Sequence, residues 1–154
     1  MDDCAIKPDG QTGEKMRVRL VTPYQLTLGM ELLECSSGRS ISRMKANRRI
    51  AKAPGNPNLD PLALMGFIDQ GLSQSLKGLI AAEIGISTFD LRIGLLSGSS
   101  MGDELTLTAE AVMVGKTSAT VTGSVTNSSK DIVGTATGLF RLGSFPGGAP
   151  ADYN

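Results

Sequence analysis

DPLALMGFIDQGLSQSLKGLI, from Asp60 to Ile80, is the stretch whose reading decides how this chain folds. Asp60 is a preferred helix N-cap, and Pro61 suits the first helical position, where a backbone N–H would have no partner anyway. Leu64, Ile68, Leu72, Leu76 and Ile80 recur at helical spacing. Leu62, Ala63, Met65 and Phe67 add apolar residues on other faces, so the first turns read as buried nearly all round. Past the cap stands one carboxylate, Asp69, with Met65 and Gly66 one turn back and Leu72 and Ser73 one turn forward. Two readings of Asp69 fit this pattern. It lies on the one wet face or makes a structural hydrogen bond, or it is partly desolvated and suited to proton transfer or nucleophilic attack.

Outward from the helix the chain reads as strands. Leu26 to Glu34 and Ser40 to Ala51 predict a hairpin about the turn Ser36-Ser37-Gly38, after a lead-in from Glu14 to Tyr24 that is a short helix or extended. The second of these segments carries Arg39, Arg43, Lys45, Arg48, Arg49 and Lys52. That run suits a phosphorylated ligand or, more simply, a charged strand edge that discourages aggregation. After the helix, Phe89, Leu91, Ile93 and Leu95 alternate with polar or small residues. So do Leu105, Leu107, Ala109, Ala111 and Met113; Ala119, Val121, Gly123 and Val125; and Ile132, Gly134, Ala136, Gly138 and Phe140. This is an antiparallel meander with one apolar face. The Asp60–Ile80 helix is the long apolar element available to cover it. The organisation expected is a tail over residues 1–12, a single domain over 13–143 and a loose tail over 144–154.

Composition excludes several classes of function. The 154 residues carry no net formal charge, so no general attraction to nucleic acid or anionic membrane is implied. No stretch approaches the length of a membrane span. Cys4 and Cys35 are too few for a disulfide framework and lack metal-ligand spacing, which fits a cytoplasmic protein with reduced thiols. The chain has no histidine, which removes Ser-His-Asp and Cys-His catalysis and histidine-ligated metals. Carboxylates, hydroxyls, lysine and backbone dipoles are left to do any chemistry.

Three stretches together resemble the phenylacetate-pathway type of hotdog acyl-CoA thioesterase. They are TPYQLTLGMELLECSSG (22–38), LALMGFIDQGLS (62–73) and the meander from Ser87 to Leu142. The resemblance implies an α+β hotdog fold, a long antiparallel sheet wrapped around one central apolar helix. It implies hydrolysis of an acyl- or aryl-CoA thioester in a site between subunits of a homodimer or homotetramer, without metal or cofactor. By position, Asp69 matches the catalytic carboxylate and Ser73 a polar residue that orients the attacking water. Gly115, Lys116 and Ser118 lie where that family's hairpin approaches CoA.

The helix start departs from the family pattern. Where the family has His-Gly-Gly, this chain has Asp60-Pro61-Leu62. The family's middle glycine supplies an oxyanion N–H, and proline has none. The candidates to stand in are the N–H of Leu62 or Ala63, with Asn58 (or Asn56) in place of the family's loop asparagine. The departure also supports a second reading, a hotdog protein that binds acyl-CoA or another apolar ligand without turnover.

Overall fold

The structure, a computed structural model, describes residues 22–36, 38–81 and 84–143. The expected tails, residues 1–12 and 144–154, lie outside the described residues, as does the lead-in up to residue 21. The described residues open with a short helix, α1 (Pro23–Leu28), then the hairpin β1 (Met30–Ser36) and β2 (Arg39–Lys45). A 3-10 turn (Arg48–Ile50) and a loop lead into the central helix α2 (Pro61–Gln74). Four strands complete it: β3 (Gly85–Leu95), β4 (Glu104–Val114), β5 (Ser118–Thr126) and β6 (Ile132–Gly143). All pairings are antiparallel, in one sheet of order β1-β2-β4-β5-β6-β3. This is the expected antiparallel sheet with one main helix against it, but the expected meander holds only for β4, β5 and β6. β3 does not pair with β4, which lies against β2, and instead crosses to the far edge beside β6.

Three boundaries differ from the sequence reading. Leu26 to Leu28, expected in the first strand, are helical. Thr22 and Gln25 form a reciprocal capping box with Pro23 at the first turn, and Gly29 at φ 66° closes the helix. The second strand stops at Lys45, because the Asn47 side chain accepts from the Arg49 N–H and starts the 3-10 turn. Helix α2 ends at Gln74 rather than Ile80. From Ser75 to Leu79 the chain keeps turning on N–H bonds to the third residue back, the tighter 3-10 pattern. The apolar spacing therefore continues past the end of the α-helix.

Helix α2 lies on the apolar face of the sheet. Phe67, Ile68, Leu72 and Leu76 are fully buried against Leu105, Leu107, Val121, Val125 and Phe140. The approach is close. A Cβ at Gly71 would overlap the Leu107 side chain, and Cβ atoms at Gly123 and Gly138 would crowd Leu72. These glycines make the socket into which the helix settles.

The strands after α2 are interrupted by bulges that alternation alone does not reveal. Thr88 pairs with Phe140 and Asp90 with Leu139, so Phe89 is an extra residue and stands 75% exposed instead of joining Leu91 and Ile93. An irregularity between Ala111 and Met113 likewise turns Met113 out to solvent. At the start of β6 the shift buries Val133 and exposes Ile132. Of the basic segment, Arg39 pairs with Glu34 and Arg43 with Glu31, each at 2.8 Å on the surface. The hydrogen bond to Glu31, and then the charge of Glu104, push the Arg43 guanidinium up from its ordinary value.

Substituting Gly71→Ala should cost about 1–3 kcal/mol, the usual penalty for overfilling a packed core. A lowered urea midpoint with unchanged slope would register it. An unchanged midpoint would mean that the helix does not lie this close to Leu107.

Candidate active site

The helical spacing that buries one stripe of α2 sets another stripe beside the sheet's edge. Asp69, Ser73 and Lys77 follow one another at single turns, with Gln70 beside them. Across from them runs β3, which enters the fold through Ile84 and Ile86. Between helix and strand lies a cleft of about 490 Å³ lined by Asp69, Gln70, Ser73, Lys77, Ile80, Ala81, Ile84, Ile86 and Thr88. One end is polar and carries Asp69, Gln70, Ser73 and Thr88. The rest of the lining is the apolar set Ile80, Ala81, Ile84 and Ile86, together with Lys77.

Asp69 is neither free nor ion-paired among the described residues. Its Oδ1 accepts from the Thr88 hydroxyl at 2.7 Å, the short distance of a charge-assisted bond. The β3 bulge matters here, because Phe89 is the extra residue beside Thr88 in that strand. Ser73 donates its hydroxyl to the Gln70 carbonyl at 2.8 Å, which leaves its oxygen lone pairs to accept. Gln70 is held in turn. Its Oε1 accepts from Gln25 Nε2 at 3.0 Å, and Gln25 is buried in α1. The Tyr24 side chain lies against α2 at Gly66, where a Cβ would overlap its hydroxyl. Helix α1 is thus pinned to α2 on either side of Asp69 in sequence.

The structure brings Asp69 and Ser73 together and leaves the other expected residues elsewhere in the chain. Leu62 is 71% exposed, and its N–H donates to the Asp60 carboxylate at 2.9 Å. The N–H groups of Ala63 and Leu64 both go to the Asp60 carbonyl, at 3.0 and 3.3 Å. With Pro61 contributing no donor, the helix start is closed by its own cap. Asn58 donates its N–H to the Asn56 side chain and forms a bridge with Ser100, in the loop ahead of the helix. Gly115 and Lys116 sit in the β4–β5 turn, where the Gly115 N–H bonds the Ser118 carbonyl. Ser118 lines a different groove, of about 430 Å³, with Phe89, Thr117, Leu139, Phe140 and Arg141.

Two residues of the polar end, Thr88 and Gln70, escape the sequence reading. Thr88 reads there as one more polar residue on the outer face of a strand. Gln70 has a signal that could have found it: its neighbour Asp69 was already singled out, and TPYQ ahead of it is a capping-box sequence that fixes a partner glutamine. Among the described residues no group of three or more His, Cys, Asp or Glu could hold a metal ion. No helix there is long and apolar enough to cross a membrane.

Comparison with known proteins bears on the fold. The family model of the thioesterase superfamily matches residues 63–133, which contain α2, β3, β4 and β5. No curated protein sequence matches the chain. Among solved structures, the PaaI protein of the E. coli phenylacetic acid degradation operon aligns with TM-score 0.72 at 16% identity, over 82% of this chain and 88% of that one. A conserved protein of Pseudomonas aeruginosa gives TM-score 0.74 at 17% identity, over 82% and 98%. A hypothetical thioesterase of Streptococcus pneumoniae, solved with coenzyme A, gives 0.64 at 21% identity, over 76% and 88%. By fold the chain is a hotdog protein like PaaI, and over residues 63–133 it is similar to the thioesterase superfamily.

Proposed function

We propose that the chain hydrolyses an acyl- or aryl-CoA thioester, with Asp69 as nucleophile or as general base on water. The observation that carries this reading is the Asp69 carboxylate, held by Thr88 at 2.7 Å at the polar end of a cleft whose remaining lining is mainly apolar. A thioester presents that combination, a polar reacting carbonyl bonded to an apolar acyl or aryl group. The Thr88 bond fixes the carboxylate's orientation and leaves Oδ2 to attack or to take a proton. The Ser73 oxygen, its hydrogen already given to Gln70, is an acceptor for the water that attacks.

The working form in this reading is a homodimer or a higher homo-oligomer. The sheet has two edges, and they differ. β1 is short, bulged between Leu32 and Glu34, and carries paired charges, the ordinary devices that blunt an edge. β3 is 11 residues long, contains no proline, and exposes Phe89. A second copy adding along β3 continues the sheet and walls the cleft beside Thr88. Gly115, Lys116 and Ser118 then contact the CoA moiety from the partner's side, where the Lys116 ammonium and the Ser118 hydroxyl suit a nucleotide diphosphate. The reaction belongs in the cytoplasm, where CoA esters are made and the buried Cys35 thiol stays reduced.

A second reading has its own observation. Every first-turn N–H of α2 is consumed by Asp60, so the fold offers no oxyanion site at the helix start. A protein that binds a CoA ester without cleaving it fits that closure.

Thiol release from a panel of short, medium, long and aromatic acyl-CoAs separates the two readings. Asp69→Asn should abolish release while the melting temperature holds. Full activity in that variant would remove Asp69 from the mechanism. Thr88→Val, which deletes the bond to the carboxylate, should lower kcat by about tenfold, the rate equivalent of one charge-assisted hydrogen bond of about 1.5 kcal/mol. Sedimentation velocity should give at least twice the 16.1 kDa chain mass; a monomer at working concentration would refute assembly through β3.

A further inference from the structure

We infer that the side-chain amide of Gln70 is the donor that binds the thioester carbonyl and its developing oxyanion, an inference that rests on the thioesterase reading above. The backbone N–H of Thr22 can only donate. It donates to Gln25 Oε1 at 2.9 Å. The other end of that amide is therefore NH₂, and it is this end that meets Gln70, at 3.0 Å. A donor there requires Oε1 of Gln70 on the facing side. The Gln70 NH₂ is thereby turned away from Gln25, and it has no partner among the described residues. Neither glutamine can reverse its amide without setting donor against donor, or acceptor against acceptor. Gln25 is 4% exposed, so such a mismatch would be buried.

The other candidate donors are committed. The Thr88 hydroxyl gives its hydrogen to Asp69, and the Ser73 hydroxyl gives its hydrogen to the Gln70 carbonyl. Lys77 holds an interaction of its own. At the helix start, the N–H groups of Leu62, Ala63 and Leu64 all serve Asp60. Gln70 lines the same cleft as Asp69 and follows it directly on the helix, so it flanks the carboxylate. A donor fixed in advance and aimed at the place where charge develops is what acyl transfer requires.

In the reaction, oxygen from the carboxylate or from the water it activates bonds to the thioester carbon. The carbonyl π pair moves onto oxygen, and the Gln70 amide holds the resulting oxyanion. As the carbonyl re-forms, the C–S bond breaks and the electron pair leaves with the CoA sulfur, which takes up a proton given up by the water; where Asp69 itself attacked, that water then cleaves the acyl–Asp69 anhydride and frees the carboxylate. With water consumed, the products are the free acid and CoA thiol. Gln25 acts on this step through Gln70 and is a positioning residue.

The test compares Gln70→Glu, Gln70→Ala and Gln25→Ala with the wild type and Asp69→Asn. Gln70→Glu keeps an acceptor for Gln25 and replaces the donor with a carboxylate oxygen. Both Gln70 variants should lose about 10²–10³-fold in kcat, as when an oxyanion donor is removed elsewhere, with KM changed only a few-fold. Gln70→Glu should retain the melting temperature, while Gln70→Ala lowers it by leaving the buried Gln25 amide without its acceptor. Gln25→Ala should lose about tenfold, because the amide survives but is no longer held. A second readout follows the infrared stretch of a ¹³C-labelled thioester carbonyl bound to Asp69→Asn. The band should lie below that of the free ester and return toward it in the Asp69→Asn/Gln70→Glu double variant. Wild-type kcat in both Gln70 variants, or a band that the second substitution leaves in place, would overturn the donor role while leaving the thioesterase reading intact. A wild type that releases no thiol from any ester would overturn both.

Discussion

The Leu107 side chain occupies the space that any side chain at position 71 would need, Leu72 fills the space that a Cβ at 123 would take, and Phe140, with Leu72 behind it, fills that at 138. The rest of the structure depends on this interlock. A helix that meets the sheet through Gly71 and Leu72 has its rotation about its own axis set, because one methyl group in the wrong place cannot be accommodated in a close-packed core. Once Phe67, Ile68, Gly71 and Leu72 face the sheet, helical geometry leaves Asp69, Gln70, Ser73 and Lys77 on the flank. The cleft is a consequence of that rotation. The carboxylate needs no dedicated loop to place it, since packing two residues away has already done so.

The start of the same helix shows a conflict between stability and chemistry. Ahead of a helix, aspartate followed by proline is a strong arrangement. The side chain caps one N–H, the carbonyl takes two more, and proline removes a donor that would otherwise be orphaned. An oxyanion site needs the opposite, one N–H left without a protein partner and facing the substrate. Asp60 also brings a negative charge to the end of the helix where the backbone dipole would favour an anion. A helix capped this well cannot be an anion site at the same terminus. If the cleft is catalytic, its donor has to come from a side chain or from another copy of the chain.

How much of this was legible in the sequence depends on the distance over which each feature is decided. The central helix and the four strands after it were legible because periodicity is local and a buried face repeats it, whereas the crossing of β3 to the far edge beside β6 is decided by long-range pairing and was not. That Asp69 and Ser73 share one flank was legible through the same local periodicity, since they stand one turn apart within the helix. The bulges were not, because an extra residue such as Phe89 is defined only by its neighbours' partners across the ladder, Phe140 and Leu139. Thr88 meets Asp69 across 19 positions and Gln25 meets Gln70 across 45, and no local pattern encodes those meetings. The helix α1 was missed for a different reason. Leu26 to Leu28 carry β-like side chains, but the Thr22–Gln25 box and Gly29 override that preference from either end.

Thr88 connects two properties of the fold that would otherwise be separate. It belongs to β3, the long strand at the sheet's open edge, and it holds the Asp69 carboxylate. Any partner that pairs with β3 orders the strand carrying that hydroxyl, and therefore acts on the carboxylate without touching it. An edge strand alone is the part of a sheet most easily frayed, since one row of its backbone groups is bonded only to water. In the reading proposed above, assembly does more than enclose the cleft. It stiffens the strand from which the reacting group takes its orientation, so that the oligomer and the geometry of Asp69 are set by the same backbone hydrogen bonds.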